Sequence, residues 1–251
     1  MASTTTCRRS MAAWRSFGGG TGDASRARRR GPSDAAHGIG GWRRRVIVRD
    51  MEGTREIPLF PLGQVLFLGG SMSLRIFEPR YVDMVSRCLR EDSGFGVVLI
   101  REGRDTWAGN DAAHPDIFNI GTFARIVDFD SSQGGLFNIK IRGESKFRIH
   151  GTRERPDHLL YGDVEVLPEE REAQVGEDFE WLTSLLADLM RHPTMTARWD
   201  SEIDLEDARA VSWRLSDMLP FSPEIKQGLL QMHLPRERLT EIRRLVNKLR
   251  G

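Results

Sequence analysis

A chain of 251 residues with 39% hydrophobic and 29% charged side chains has the composition of a soluble globular protein, and it is long enough to bury its own core without a disulfide or metal. No apolar run, Val97-Val98-Leu99-Ile100 included, approaches the roughly 18 residues of a membrane-spanning helix, and two distant cysteines, Cys7 and Cys88, exclude a disulfide framework or a cysteine-built zinc site. The net charge of +1 conceals a split. Residues 1–50 hold eleven arginines against three acids, a net of +8, and the remainder holds 26 basic and 33 acidic side chains, a net of −7. The acidic body argues against a nucleic-acid footprint there.

Residues 1–50 carry eight glycines, Arg28-Arg29-Arg30 and Arg43-Arg44-Arg45, and no apolar periodicity. Such a segment buries too little surface to offset its ordering entropy and is expected to be disordered. Three readings stand: a translated leader with Met51 as the true start, an Arg-rich organellar transit peptide, or a basic tail that binds nucleic acid or anionic membrane. No apolar stretch of the secretory type precedes a cleavage site. The expected location is cytoplasmic, or organellar if residues 1–50 are a transit peptide.

From Ile57 the texture changes. Ile57-Pro58-Leu59-Phe60-Pro61-Leu62 is apolar with two prolines, which predicts an edge or entry strand. Val65–Leu68 reads as a short buried strand closed by Gly69-Gly70, and Leu74–Phe77 as a further extended run. Pro79 suits the first position of a helix, with Phe77 and Val82 as a hydrophobic staple and Tyr81, Met84, Val85, Cys88 and Leu89 as the buried face. Cys88 on that face reads as a core residue. Phe95–Ile100 is β-rich, 103–119 is a polar loop, and Thr122–Val127 and Leu136–Arg142 alternate around a turn at 131–135. Phe147, Ile149, Val164 and Val166 continue the pattern. Some seven short strands predict a small closed or half-open barrel.

The second half is helical in pattern. Val175, Phe179, Leu182, Leu186, Leu189 and Met190 form a stripe over 174–192. Asp204 is a candidate cap for a helix with Leu205, Ala208, Val211, Leu215 and Met218 inward. Ser222-Pro223 starts a third helix and Pro235 a fourth, with Leu239, Ile242, Leu245, Val246 and Leu249 inward. Four helices with short loops predict a bundle. Trp181 and Trp213 fit its core or a partner surface.

Chemistry-bearing motifs are missing. There is no G-x-x-x-x-G-K-[ST], G-x-G-x-x-G, H-E-x-x-H or G-x-S-x-G. His114, His150, His158, His192 and His233 lack ligand spacing. Asp111, His114 and Asp116 share a polar loop and read as solvated. The pairs Glu169-Glu170 and Glu177-Asp178 fall in loops and helix starts, where they read as solvated or favoured by the dipole. No catalytic, cofactor or metal residue is assigned, no cofactor is expected, and the residues that bind a partner are left unassigned.

One run is specific. Ile57-Pro58-Leu59-Phe60-Pro61-Leu62-Gly63-Gln64-Val65-Leu66-Phe67, then Leu74-Arg75-Ile76-Phe77-Glu78-Pro79-Arg80-Tyr81 and Met84-Val85, resembles the opening signature of the Lon protease N-terminal, substrate-binding domain. Ile120–Ile126, Gly143–Ile149, Tyr161–Val166, Leu219-Pro220, Lys226–Leu230 and Arg238-Leu239 follow in that family's order, over about residues 55–250. Leu68 departs from the family's usual proline in a turn. The resemblance implies an α+β fold: a PUA-like pseudo-barrel over 55–168 followed by a helical subdomain over 174–251, together one domain. It also implies a stand-alone form without the ATPase and Ser-Lys peptidase domains of full-length Lon, hence a non-enzyme. The function it implies is binding of an unfolded or specific client polypeptide in quality control or regulated proteolysis, alongside a protease or chaperone. The alternatives are a small-molecule or RNA-binding PUA-like domain; nucleic acid would be held through the tail, and no membrane partner is expected. Within the opening signature, Leu66, Phe67, Ile76, Phe77, Tyr81 and Met84 read as core, and Arg75, Glu78 and Arg80 as an ion pair or cap. A client cleft is expected between barrel and bundle, lined by the later strands and a helix beginning near Gln174.

Overall fold

The structure is a computed structural model and describes residues 54–103, 115–132, 136–192 and 203–250. The expected disorder of residues 1–50 and the Asp111-His114 pair lie outside the described residues. Seven strands come first: β1 (Arg55–Leu62), β2 (Ser71–Ile76), β3 (Gly94–Glu102), β4 (Asp116–Ile117), β5 (Ile120–Ser132), β6 (Leu136–Glu154) and β7 (Leu160–Val166), with helix α1 (Pro79–Glu91) between β2 and β3. A 3₁₀ turn at Glu177–Phe179 leads into α2 (Glu180–Met190), followed by α3 (Ala208–Met218), α4 (Pro223–Gln231) and α5 (Pro235–Arg250).

The pairings run β1-β7-β6-β5-β3 and return to β1 through a parallel β1–β3 contact, which makes the pseudo-barrel of an α+β fold that the family resemblance implies, where the strand pattern alone predicts a small closed or half-open barrel. The strands are less uniform than expected. β6 is 19 residues long; its first half is flanked by β2 and β5, and its second half by β5 and β7. β1 is the entry strand, and its two halves pair with different neighbours. Arg55–Pro58 pair with β7 and Leu59–Leu62 pair with β3. Each half is therefore hydrogen-bonded along one side only, which is how Pro58 and Pro61, each lacking an N–H, fit within a ring of strands.

The expected strand at Val65–Leu68 is a loop whose Val65, Leu66 and Phe67 are buried; only Leu68 forms a bridge, to Gly143. Gly143 permits that approach, because a Cβ there would collide with the Phe67 carbonyl oxygen.

Alternation divides the strand interior in two. Ile57, Leu59, Val98, Phe147, Leu160 and Val164 fill one cluster. Phe60, Phe95, Val97, Ile139 and Ile141 face the other way and are covered by Tyr81, Met84, Val85 and Cys88 of α1. Each such side chain, fully buried, contributes about 1.5–3 kcal/mol of transfer free energy. α1 opens with Pro79 in its first turn and closes at Asp92, whose left-handed backbone (φ 48°) returns its N–H to the Cys88 carbonyl. Phe77 does not staple the helix: it is 58% exposed.

The helices form a second core from Val175, Phe179, Leu182, Leu186, Val211, Leu215, Leu239 and Ile242. α3 begins later than Asp204 suggests. Glu206 accepts from the Val175 N–H and Gln174 bridges to Asp207, so the chain is extended there, and Asp207 is the cap that accepts from the Arg209 N–H. Leu205, outside the helix, is 37% exposed. Leu249, expected inward, is 64% exposed.

Candidate functional site

The boundary between strands and helices is packed. Val65, Phe67, Leu99 and Ile120 from the strand half meet Leu167, Trp213 and Leu230 in one buried cluster. These residues pack against one another where a cleft is expected, and α2 packs into the helical core. α3 is the element between the two halves, and every residue from Val211 to Met218 is buried. Apolar periodicity marks one face of such a helix and is silent about polar residues on the other.

At the centre of this boundary lies a charged cluster. Lys146 Nζ of β6 donates to Glu170 Oε1 at 2.7 Å, and Arg238 Nη2 of α5 donates to the same oxygen at 2.5 Å. All three side chains are 3% exposed or less. The Trp213 ring lies near both cations, with Arg238 Cζ 3.2 Å and Lys146 Nζ 5.1 Å from its centroid. Burial lowers the affinity of Lys146 and of Arg238 for their protons, and Glu170 opposes this in both.

The same cations also secure the end of α4. Lys146 Nζ and Arg238 Nη2 both donate to the Met232 carbonyl, and Arg238 Nε donates to the Leu229 carbonyl. Those carbonyls belong to the last turn and its cap, where cations complement the helix dipole. Gln227 Nε2 adds a bond to the Ile120 carbonyl of β5. On α3, burial pushes the Arg214 guanidinium down to about 10, with Arg142 adding to this and Asp217 opposing it. These contacts tie β6, Glu170, α4 and α5 together across the boundary.

The residues singled out in the sequence fall as follows. Cys88 is buried, its thiol pushed up by desolvation and placed 3.6 Å from the Gly94 carbonyl. Glu78 and Arg80 form an ion pair at 2.8 Å, and Arg80 also reaches the His158 carbonyl. Asp116 pairs with Arg101 on the surface. His150 contacts Glu165, and His158 contacts Glu154. Glu169 is solvated beside Arg209, as expected of a loop acid, whereas Glu170 is buried as the shared acceptor. The sequence reading missed Glu170 and Lys146 because their charges signal surface. Their partners are 24 and 68 positions apart along the chain. Among the described residues no group of three or more His, Cys, Asp or Glu side chains is placed to hold a metal ion.

A groove of about 290 Å³ lies between α4 and α5. Ile225, Leu229, Met232 and Leu245 give it an apolar floor, and Glu241, Arg244 and Lys248 edge it. Arg244 and Glu241 are paired one turn apart at 2.6 Å. Ile225, 39% exposed, and the neighbouring Leu249 leave apolar surface open to solvent. The groove shares Leu229 and Met232 with the charged cluster.

The sequence of residues 56–248 matches the family model of the substrate-binding domain of ATP-dependent protease La, or Lon. The chain belongs to the Lon substrate-binding domain family. A solved Lon N-terminal domain protein from Xanthomonas campestris superimposes with a TM-score of 0.62 and is 32% identical, covering 75% of this chain and 96% of that one. Among curated relatives, cereblon of Danio rerio is 27% identical over 129 residues, 49% of this chain and 28% of cereblon. Lon protease 1 of Bdellovibrio bacteriovorus is 23% identical over 192 residues, 74% of this chain and 24% of that protease. This Lon substrate-binding domain chain spans about a quarter of the length of these curated relatives. The match is to the substrate-binding part of Lon, and the pseudo-barrel with its helical companion is that part's fold. No helix among the described residues is long and apolar enough to cross a membrane.

Proposed function

We propose that the chain is a non-catalytic polypeptide-binding module serving protein quality control or regulated proteolysis, with an unfolded or specific client polypeptide as its ligand. The observation that carries this reading is the family match over residues 56–248, a domain described by its binding of protease substrate. Two structural features support it. Buried charge and hydrogen bonds join the strand and helical halves into one unit. Apolar surface is open on the helical half, and unfolded chains present apolar side chains to such surface. In this layout 55–168 and 174–251 act as the two halves of one binding unit.

The test is binding of a reduced, carboxymethylated protein to the full chain, followed by fluorescence anisotropy, against the same protein in its native form. Binding of the denatured form at micromolar affinity, about −8 kcal/mol or weaker, with no binding of the native form, is expected. Parallel assays of ATP hydrolysis and casein cleavage are expected to show no turnover. Activity that follows the chain through successive columns, or equal binding of the native and denatured forms, contradicts the proposal.

A further inference from the structure

Residues 167–175 carry the chain from β7 to the helices, and they are tied down at three places. At the start, the Leu167 N–H donates to the Lys146 carbonyl of β6. In the middle, Glu170 is the buried acceptor shared by Lys146 and Arg238. At the end, the Val175 N–H donates to the Glu206 carbonyl and the Ala208 N–H to the Ala173 carbonyl, around the antiparallel Gln174–Asp207 bridge. Arg209, in the first turn of α3, spans the middle and the end. Its Nη1 donates to Glu169 Oε1 and to the Glu170 carbonyl, both at 3.2 Å, and its Nη2 donates to Glu172 Oε1 at 3.3 Å. Nε and Nη2 also reach Asp207 Oδ2, at 3.3 and 3.1 Å. The planar fork of donors lets one guanidinium hold the segment and the cap of α3 together. The two sets of ion pairs differ in solvation. The Glu169 and Glu172 side chains are 84% and 83% exposed, whereas that of Glu170 is 3% exposed. Salt screens exposed pairs strongly and buried pairs much less.

We infer that residues 167–175 form a strap with an ionic latch: Arg209 holds its outer end on α3 and lets go as ionic strength rises, while Lys146 and Arg238 keep Glu170 seated. Arg209 is a positioning residue for the strap. Release breaks the Val175–Glu206 and Ala208–Ala173 backbone bonds and leaves the Leu167–Lys146 bond and the buried cluster in place, so the strap opens from one end by local unfolding. The device follows from the unequal solvation of its two ends and does not depend on the polypeptide-binding reading.

The experiment is native-state hydrogen exchange on the full chain, read at single amides by NMR. The Val175 and Ala208 amides report the outer end of the strap and the Leu167 amide its inner end. In the wild type, raising salt from about 0.1 M to about 1 M is expected to speed exchange at Val175 and Ala208 several-fold and to leave Leu167 unchanged. Arg209→Gln is expected to speed exchange at Val175 and Ala208 by about tenfold at low salt and to abolish their response to salt. Arg209 also contacts the cap of α3, so the double variant Glu169→Gln, Glu172→Gln tests the latch from the strap side with the helix untouched. It is expected to speed the same two amides, with a melting temperature close to wild type. Wild-type exchange at Val175 and Ala208 in both variants overturns the latch. Equal acceleration at Leu167, Val175 and Ala208 shows that Arg209 acts through global stability and overturns it as well. A salt response that persists undiminished in Arg209→Gln overturns its ionic origin.

Discussion

Arg238 holds its guanidinium carbon 3.2 Å from the centre of the Trp213 ring, and the opposite demands of these two side chains are met at one place. The indole covers one face of a fully buried cation, and the Glu170 carboxylate, shared with Lys146, supplies the countercharge. Replacing both partners of such a pair by apolar groups can be nearly neutral, whereas removing one partner leaves a buried charge uncompensated.

Glu170→Gln is therefore expected to destabilise the domain by about 3–5 kcal/mol, which in a domain of this size lowers the melting temperature by on the order of 10 °C. Glutamine keeps the shape and one acceptor, so the loss isolates the charge. Thermal unfolding followed by circular dichroism measures it, and a Glu169→Gln control on the solvated neighbour is expected to stay close to wild type.

Two glycines make opposite predictions. A Cβ on Gly121 would meet the Phe147 ring at 2.5 Å and the Val97 carbonyl oxygen at 2.7 Å. Gly121→Ala is expected to cost about 1–3 kcal/mol through overpacking of the strand interior. Gly228→Ala enters open space in a helix and is expected to add about 0.5–1 kcal/mol. Chemical denaturation of the two variants beside wild type decides both.

Cys88 should be inert until the fold opens. Its thiol is buried, and desolvation pushes its proton affinity above the usual value of 9.0. In a Cys7→Ser background, alkylation at pH 8 is expected to be slow in the native state and fast in denaturant. The sign of the linkage also follows: an acid raised in the fold contributes unchanged stability below pH 9.0 and loses it as pH rises from there through the folded value. Cys88→Ala should flatten that alkaline loss, as read from denaturation midpoints across pH.

Phe77 is the reverse case, an apolar residue outside the core. Phe77→Asp is expected to change stability by no more than about 0.5 kcal/mol, as surface substitutions do. A loss of several kcal/mol would place the ring back in a packed staple with Val82.

The local elements were legible where a single chain segment carries its own physics. Pro79 and the spacing of Tyr81, Met84, Val85 and Cys88 specify α1 and its buried face, because helix geometry puts those positions together whatever lies opposite. Ser222-Pro223 specifies the start of α4 in the same way. The ordered runs from Ile57 to Leu239 identify the Lon substrate-binding domain fold, since most of them encode turns and core positions. Only the tertiary structure decided what those faces meet. The prolines of β1 suggest an edge or entry strand, and only the tertiary structure shows the staggered pairing, one half with β7 and the other with β3, that closes the ring through it. Lys146, Glu170 and Arg238 read as surface charge because solvation usually dominates isolated ions; three residues far apart in sequence become one buried cluster when folding supplies each with a partner. The buried cluster at the strand–helix boundary is out of reach of the sequence for the same reason: periodicity measures how apolar a face is, while the partner that covers it is chosen by packing across the whole chain.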